Sequence, residues 1–91
     1  MKFQEDYYLF QNFPNPFNPS TTISWHQSIE SKVTITIYDV LGNEIETIVD
    51  QIMETGTHFK SFTAEHLPSG IYFYRIVVNK FVQTNKMFLL K

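Results

Sequence analysis

The chain contains no cysteine, which excludes disulfides, thiol nucleophiles and Cys-ligated zinc or iron–sulfur sites. It also lacks a surplus of positive charge, because 7 Lys and Arg stand against 9 Asp and Glu for a net charge of −2. Without cations to neutralise phosphates, nucleic acid is not an expected partner. No apolar run is longer than Met87–Leu90, whereas a membrane-spanning helix needs about 20 residues, so membrane insertion is not expected. The opening Met1, Lys2, Phe3, Gln4, Glu5, Asp6 is not the basic patch and apolar stretch of an export leader. Glycine is scarce, with 3 in 91 residues.

Aromatic residues are plentiful. With 9 Phe, 5 Tyr and 43% hydrophobic residues, the composition serves one compact core, and β-strands are the natural use for it. Val33, Ile35 and Ile37 alternate with Thr34, Thr36 and Tyr38, the period-two pattern of a strand with one face in the core. Similar signals predict strands over Thr21–His26, Lys32–Tyr38, Glu44–Val49, Thr57–Thr63, Ile71–Val78 and Phe81–Leu90. Turn chemistry separates them: Val40-Leu41-Gly42-Asn43, Gly56, a type I turn over Leu67-Pro68-Ser69-Gly70, and a two-residue loop at Asn79-Lys80. Before them, three prolines within Pro14–Pro19 remove backbone donors and fix φ, which predicts an extended, semi-rigid lead-in. Six to seven short strands without crossover helices imply an all-β, antiparallel sandwich.

Tyr72 and Tyr74 fit the pair that immunoglobulin-like sandwiches place at the start of one inner strand. Tyr72, Tyr74, Ile76 and Val78 then face the core, leaving Ile71, Phe73, Arg75 and Val77 as a possible exposed surface. Charge is segregated too. Asp39, Glu44, Glu46, Asp50 and Glu54 form an acidic stretch, while Arg75, Lys80, Lys86 and Lys91 follow His66 with no acid between. The two groups either form separate solvated faces or meet within a dimer or a partner complex, and spacing does not decide between these.

Little in the sequence points to catalysis. His26, His58 and His66 lack metal-site spacing, no nucleophile elbow marks a Ser-His-Asp triad, and Asn18-Pro19-Ser20 has proline where a glycosylation acceptor forbids it. Glu44 and Glu46 sit at i, i+2 on one predicted strand face, a weak basis for paired acid and base roles. Pro16–Pro19 reads as a connector more than a PxxP ligand, and Trp25 as core more than a sugar platform. No enzyme activity, metal or cofactor is expected.

Five ordered blocks carry a resemblance over residues 9–91. Leu9–Ile23, with its Asn12-Phe13-Pro14-Asn15-Pro16-Phe17-Asn18-Pro19 core, resembles the opening block of the type A C-terminal sorting domain of the type IX secretion system. Ile37-Tyr38-Asp39-Val40-Leu41-Gly42, Gly56-Thr57-His58, Leu67–Arg75 and Lys86–Lys91 are similar to the blocks that follow. The resemblance implies an immunoglobulin-like sandwich that acts as a secretion signal for an upstream cargo absent from this chain. Its implied partners are outer-membrane type IX translocon components and a sortase-like protease. The cargo would travel through the periplasm to the cell surface or be secreted, with the domain cleaved or retained. Residues 1–8 are then expected to be the remnant of an upstream linker. The implied recognition element is Lys86, Met87, Phe88, Leu89, Leu90 and Lys91, with Gly42, Gly56 and Gly70 as structural turns. An apolar terminal strand at a sheet edge invites addition of a partner strand through its free backbone rim. The alternative is an immunoglobulin-like binding or spacer module of a multidomain extracellular protein.

Overall fold

The computed structural model describes residues 7–91; residues 1–6 of the expected linker remnant lie outside that range. Seven strands follow one another: β1 (Tyr7–Leu9), β2 (Ser20–Gln27), β3 (Ser31–Tyr38), β4 (Glu44–Met53), β5 (Gly56–Thr63), β6 (Gly70–Val78) and β7 (Phe81–Leu89). They form a three-stranded sheet in the order β1-β2-β5 and a four-stranded sheet in the order β4-β3-β6-β7. Every strand pair within a sheet is antiparallel. The all-β sandwich is therefore as the sequence predicts. Its fourth strand pairs with β3 and not with β5, so it joins the sheet that an immunoglobulin constant-type sandwich builds from three strands.

The core lies between the sheets. Trp25, Ile23 and Phe62 from the smaller sheet meet Val33, Ile35, Ile37, Tyr74, Ile76, Met87 and Leu89 from the larger, all nearly inaccessible to solvent. Trp25 is thus core, as read. Its indole nitrogen donates to the Gln27 Oε1 at 2.9 Å, and the Gln27 amide nitrogen donates to the Ile29 and Met53 carbonyls at 3.0 and 3.1 Å. The chain satisfies a buried glutamine by using it as a staple between the β2 and β4 ends.

Three local expectations need correction. β4 continues past Val49 to Met53, because Asp50–Met53 pair with Ser31–Thr34 although Asp50 and Gln51 are polar, and an exposed Lys32–Asp50 ion pair at 3.3 Å spans the two strands. The hydrogen-bonded turn before β6 is Ala64–Leu67, closed by the Leu67 amide on the Ala64 carbonyl at 3.3 Å, and not Leu67–Gly70. The Pro68 carbonyl instead accepts from the Tyr72 hydroxyl at 2.6 Å, the tyrosine-corner bond that the Tyr72–Tyr74 pair anticipates. Finally, a register shift between Ile37 and Tyr38 sets Glu44 opposite Tyr38 and Glu46 opposite Ile37, so a β-bulge separates the two carboxylates that the i, i+2 spacing would pair.

The β3–β4 turn is organised by Asp39. Its Oδ1 accepts from the Leu41 and Asn43 amides, both at 2.9 Å, and its Oδ2 from the Asn43 side chain at 3.1 Å. Gly42 takes a φ of 87°, a conformation that glycine adopts without a Cβ penalty. The Asn43 amide bond holds the Asp39 pKa below its ordinary 3.8; desolvation opposes it, and the Asn43 side chain and the Leu41 and Gly42 amides add to the lowering. A depressed carboxylate stabilises the fold above its unfolded pKa, and that contribution is lost as pH falls through the folded value. The Leu41 and Asn43 amide resonances are therefore expected to titrate with a midpoint below that of a free aspartate. Proton NMR across the acid range checks this, and Asp39→Asn should abolish the transition.

Candidate functional site

Strand β7 lies at the free side of the four-stranded sheet, where the sequence reading expects an open backbone rim. Met87 and Leu89 point into the core at 0% and 2% exposure, while Phe88 and Leu90 remain 39% and 63% exposed. Lys86 and Lys91 are exposed. Alternation along the strand accounts for both sets, so two of the six expected recognition residues have a structural place in the core.

Along Lys86–Leu90 that rim is occupied. The Phe17 amide donates to the Phe88 carbonyl at 2.9 Å, and the Leu90 amide donates to the Phe17 carbonyl at 3.0 Å. The Phe88 amide donates to the Asn15 Oδ1 at 2.9 Å, and the Gln11 side chain to the Lys86 carbonyl at 2.8 Å. Residues 11–17 thus run as a strap along β7. Phe17 anchors that strap with only 2% exposure and an edge contact to Phe62 at 6.3 Å. The proline pattern signals an extended segment, but nothing in it says that the segment caps the last strand. Proline prevents the strap from becoming a full strand, while the side chains of Gln11 and Asn15 substitute for missing ladder bonds.

Tyr74 ties the strap to the core. Its hydroxyl donates to the Phe10 carbonyl at 2.7 Å and accepts from the Asn12 amide at 2.7 Å and the Asn85 side chain at 3.2 Å. Burial pushes the phenol pKa up, against the lowering effect of the Asn85 and Asn12 bonds. Gln83 and Asn85 face the gap between the sheets and bond to the backbone of Leu9 and Phe10. Asn12, Asn15, Phe17, Gln83 and Asn85 were not marked by sequence spacing; polar residues at inward positions of an otherwise apolar strand are the signal that was present. At the other end, the Lys91 amide donates to the Ser69 hydroxyl at 2.9 Å and its ammonium to the Glu65 carbonyl.

The other expected residues are dispersed. Ile71, Phe73, Arg75 and Val77 lie on the outer face, with Ile71 38% and Val77 37% exposed. The Arg75 guanidinium sits 5.1 Å above the Tyr38 ring. Gly56 opens β5 at φ 132° and Gly70 opens β6 at φ 155°. His58 stacks at 5.4 Å on Trp25 and bonds to the Glu54 carbonyl, and His26 contacts Thr57. Among the described residues no group of three His, Asp or Glu is placed to hold a metal ion.

A sequence profile of the secretion system C-terminal sorting domain matches residues 11–90, from the strap through the last residue it caps. This chain belongs to that family. No curated protein matches the chain. As a type IX sorting domain it serves as a C-terminal signal for export to the cell surface or for secretion, and it interacts with the secretion system. The matched span begins at Gln11 and ends at Leu90, two residues whose polar groups bond across the strap–β7 seam.

Proposed function

We propose that the exposed side of the C-terminal block is the part of this sorting domain that outer-membrane translocon components read. The observation that carries the proposal is that Phe88 and Leu90 stay exposed although Phe88 sits in a strand held between β6 and the strap and the Leu90 amide is bonded to the Phe17 carbonyl. A large apolar side chain on a fixed main chain loses little entropy on binding, which favours its use as an anchor. Lys86 and Lys91 flank the pair, with the Lys86 ammonium 5.6 Å from the Phe88 ring. Met87 and Leu89 hold the strand in register. Because the rim is capped along Lys86–Leu90, reading of this block would use side chains and not strand addition.

The sorting unit comprises residues 9–91 extended by the β1 residues Tyr7 and Tyr8, and the segment before it links to an upstream cargo that passes through the periplasm. The domain is a signal without catalysis of its own, and a sortase-like protease removes it or leaves it in place after export. A fusion of residues 1–91 behind an exported reporter, in a host with a type IX system, is expected to place the reporter at the cell surface. Phe88→Ser with Leu90→Ser should lower surface reporter roughly tenfold or more while leaving the Trp25 fluorescence of a folded domain. Surface delivery equal to the unmodified fusion would refute the side-chain reading. Periplasmic retention of the unmodified, stably expressed fusion would refute the sorting role of this chain.

A further inference from the structure

We propose that the outer face of the four-stranded sheet is a self-association surface, which packs on the same face of a second copy about a twofold axis parallel to the strands. The inference does not rest on translocon reading, although Lys86 belongs to both surfaces. It starts from the segregated charge. Strand β4, with its three acids, and strand β7, which carries Lys86 and no acid, occupy opposite edges of one sheet, with β3 and β6 between them. They therefore do not neutralise each other within the chain.

The registers sharpen this. Glu44 lies opposite Tyr38, Tyr38 opposite Phe73, and Phe73 opposite Lys86. Cross-strand partners share a face, so one row across all four strands reads acid, aromatic, aromatic, base. Asp50 already has Lys32 at 3.3 Å, and that is the one ion pair among the described residues; Glu44 and Lys86 have none. The next row on this face is Thr47, Thr36, Arg75 and Thr84, and beyond it the face turns apolar, with Val77 37% and Val82 57% exposed.

A twofold axis parallel to the strands reverses strand order in the facing copy. It lays β4 over the second copy's β7 and β3 over its β6. Glu44 then faces Lys86 of the other copy, and Tyr38 faces its Phe73, twice by symmetry. An axis across the strands would set β4 on β4, acid against acid. Charge thus selects the first arrangement. The available face is small: four strands at about 4.8 Å and the nine residues of β6 at about 3.4 Å each give a footprint of roughly 590 Å² per copy. A standard interface buries about 800 Å² per partner, so the dimer is weak and reversible.

Sedimentation equilibrium of the 91-residue chain from about 10 μM to about 1 mM tests the proposal. The expected result is a reversible monomer–dimer equilibrium. Glu44→Lys and Lys86→Glu should each weaken dimerisation about tenfold, since each turns two attractions at the interface rim into two repulsions. The two changes together should restore the dimer to within about twofold of the original. A chain that stays monomeric throughout would overturn the proposal. So would a dimer indifferent to either reversal, a double variant no better than the singles, or a dimer strengthened by Glu44→Lys, which is the signature of β4 lying on β4.

Discussion

Phe17→Ala is expected to destabilise the domain by about 3–5 kcal/mol, the range for emptying a well-packed aromatic site. A domain of this size has about 5–10 kcal/mol of stability in total, so the variant should sit near the edge of folding. Two effects combine. The ring is 2% exposed and packs on Phe62, and its removal leaves a void that flanking strands cannot close without moving. The same residue also supplies the amide and carbonyl that bond to Phe88 and Leu90, so a loosened Phe17 frees the β7 rim as well. Urea titration followed by the fluorescence of Trp25, the one tryptophan, measures the first effect. Hydrogen exchange at the Phe88 and Leu90 amides measures the second, and both should lose protection before the β2–β5 pairs do. A loss under about 1.5 kcal/mol would mean that the strap is held by its hydrogen bonds and not by its anchor.

Tyr74→Phe should cost about 2–3 kcal/mol although it removes a single oxygen. That oxygen serves three partners at once, and the Asn12 residue whose amide it accepts is 2% exposed. With the hydroxyl gone, a buried donor has no water to turn to, and an orphaned group of this kind costs about 1–3 kcal/mol. Tyr72→Phe is the natural comparison. It loses one bond, to the Pro68 carbonyl, near the sandwich end, and about 1 kcal/mol is expected. Equal losses for the two variants in denaturant unfolding would contradict the assignment of Tyr74 as the hub of the strap.

These effects bear on how much could be read without coordinates. Alternation gave six of the seven strands, since Val33-Thr34-Ile35-Thr36-Ile37 admits only one pleated face. Tyr72 and Tyr74 were legible for the same reason, with Gly70 and Pro68 marking the corner. β1 was not legible: Tyr7–Leu9 is three residues long and has no alternation to detect. Nor was the strap–tail seam, because its bonds join residues 73 and 75 positions apart and are made by Asn and Gln side chains, which carry no periodic signal. The expectation of an open rim at β7 failed on that point. Edge position follows from strand order, but what covers an edge depends on where a non-strand segment runs.

The seam between strap and tail has a consequence for synthesis. A ribosome that has delivered residues 1–80 has made the strap and six of the strands, yet β7 and every bond that Gln11, Asn15 and Phe17 make to it are missing. Such a product leaves the core side of β6 uncovered where Met87 and Leu89 belong. Chains broken off early are therefore open to proteolysis, whereas completed ones close. Closure of the sandwich in this way requires a chain that runs through Leu90.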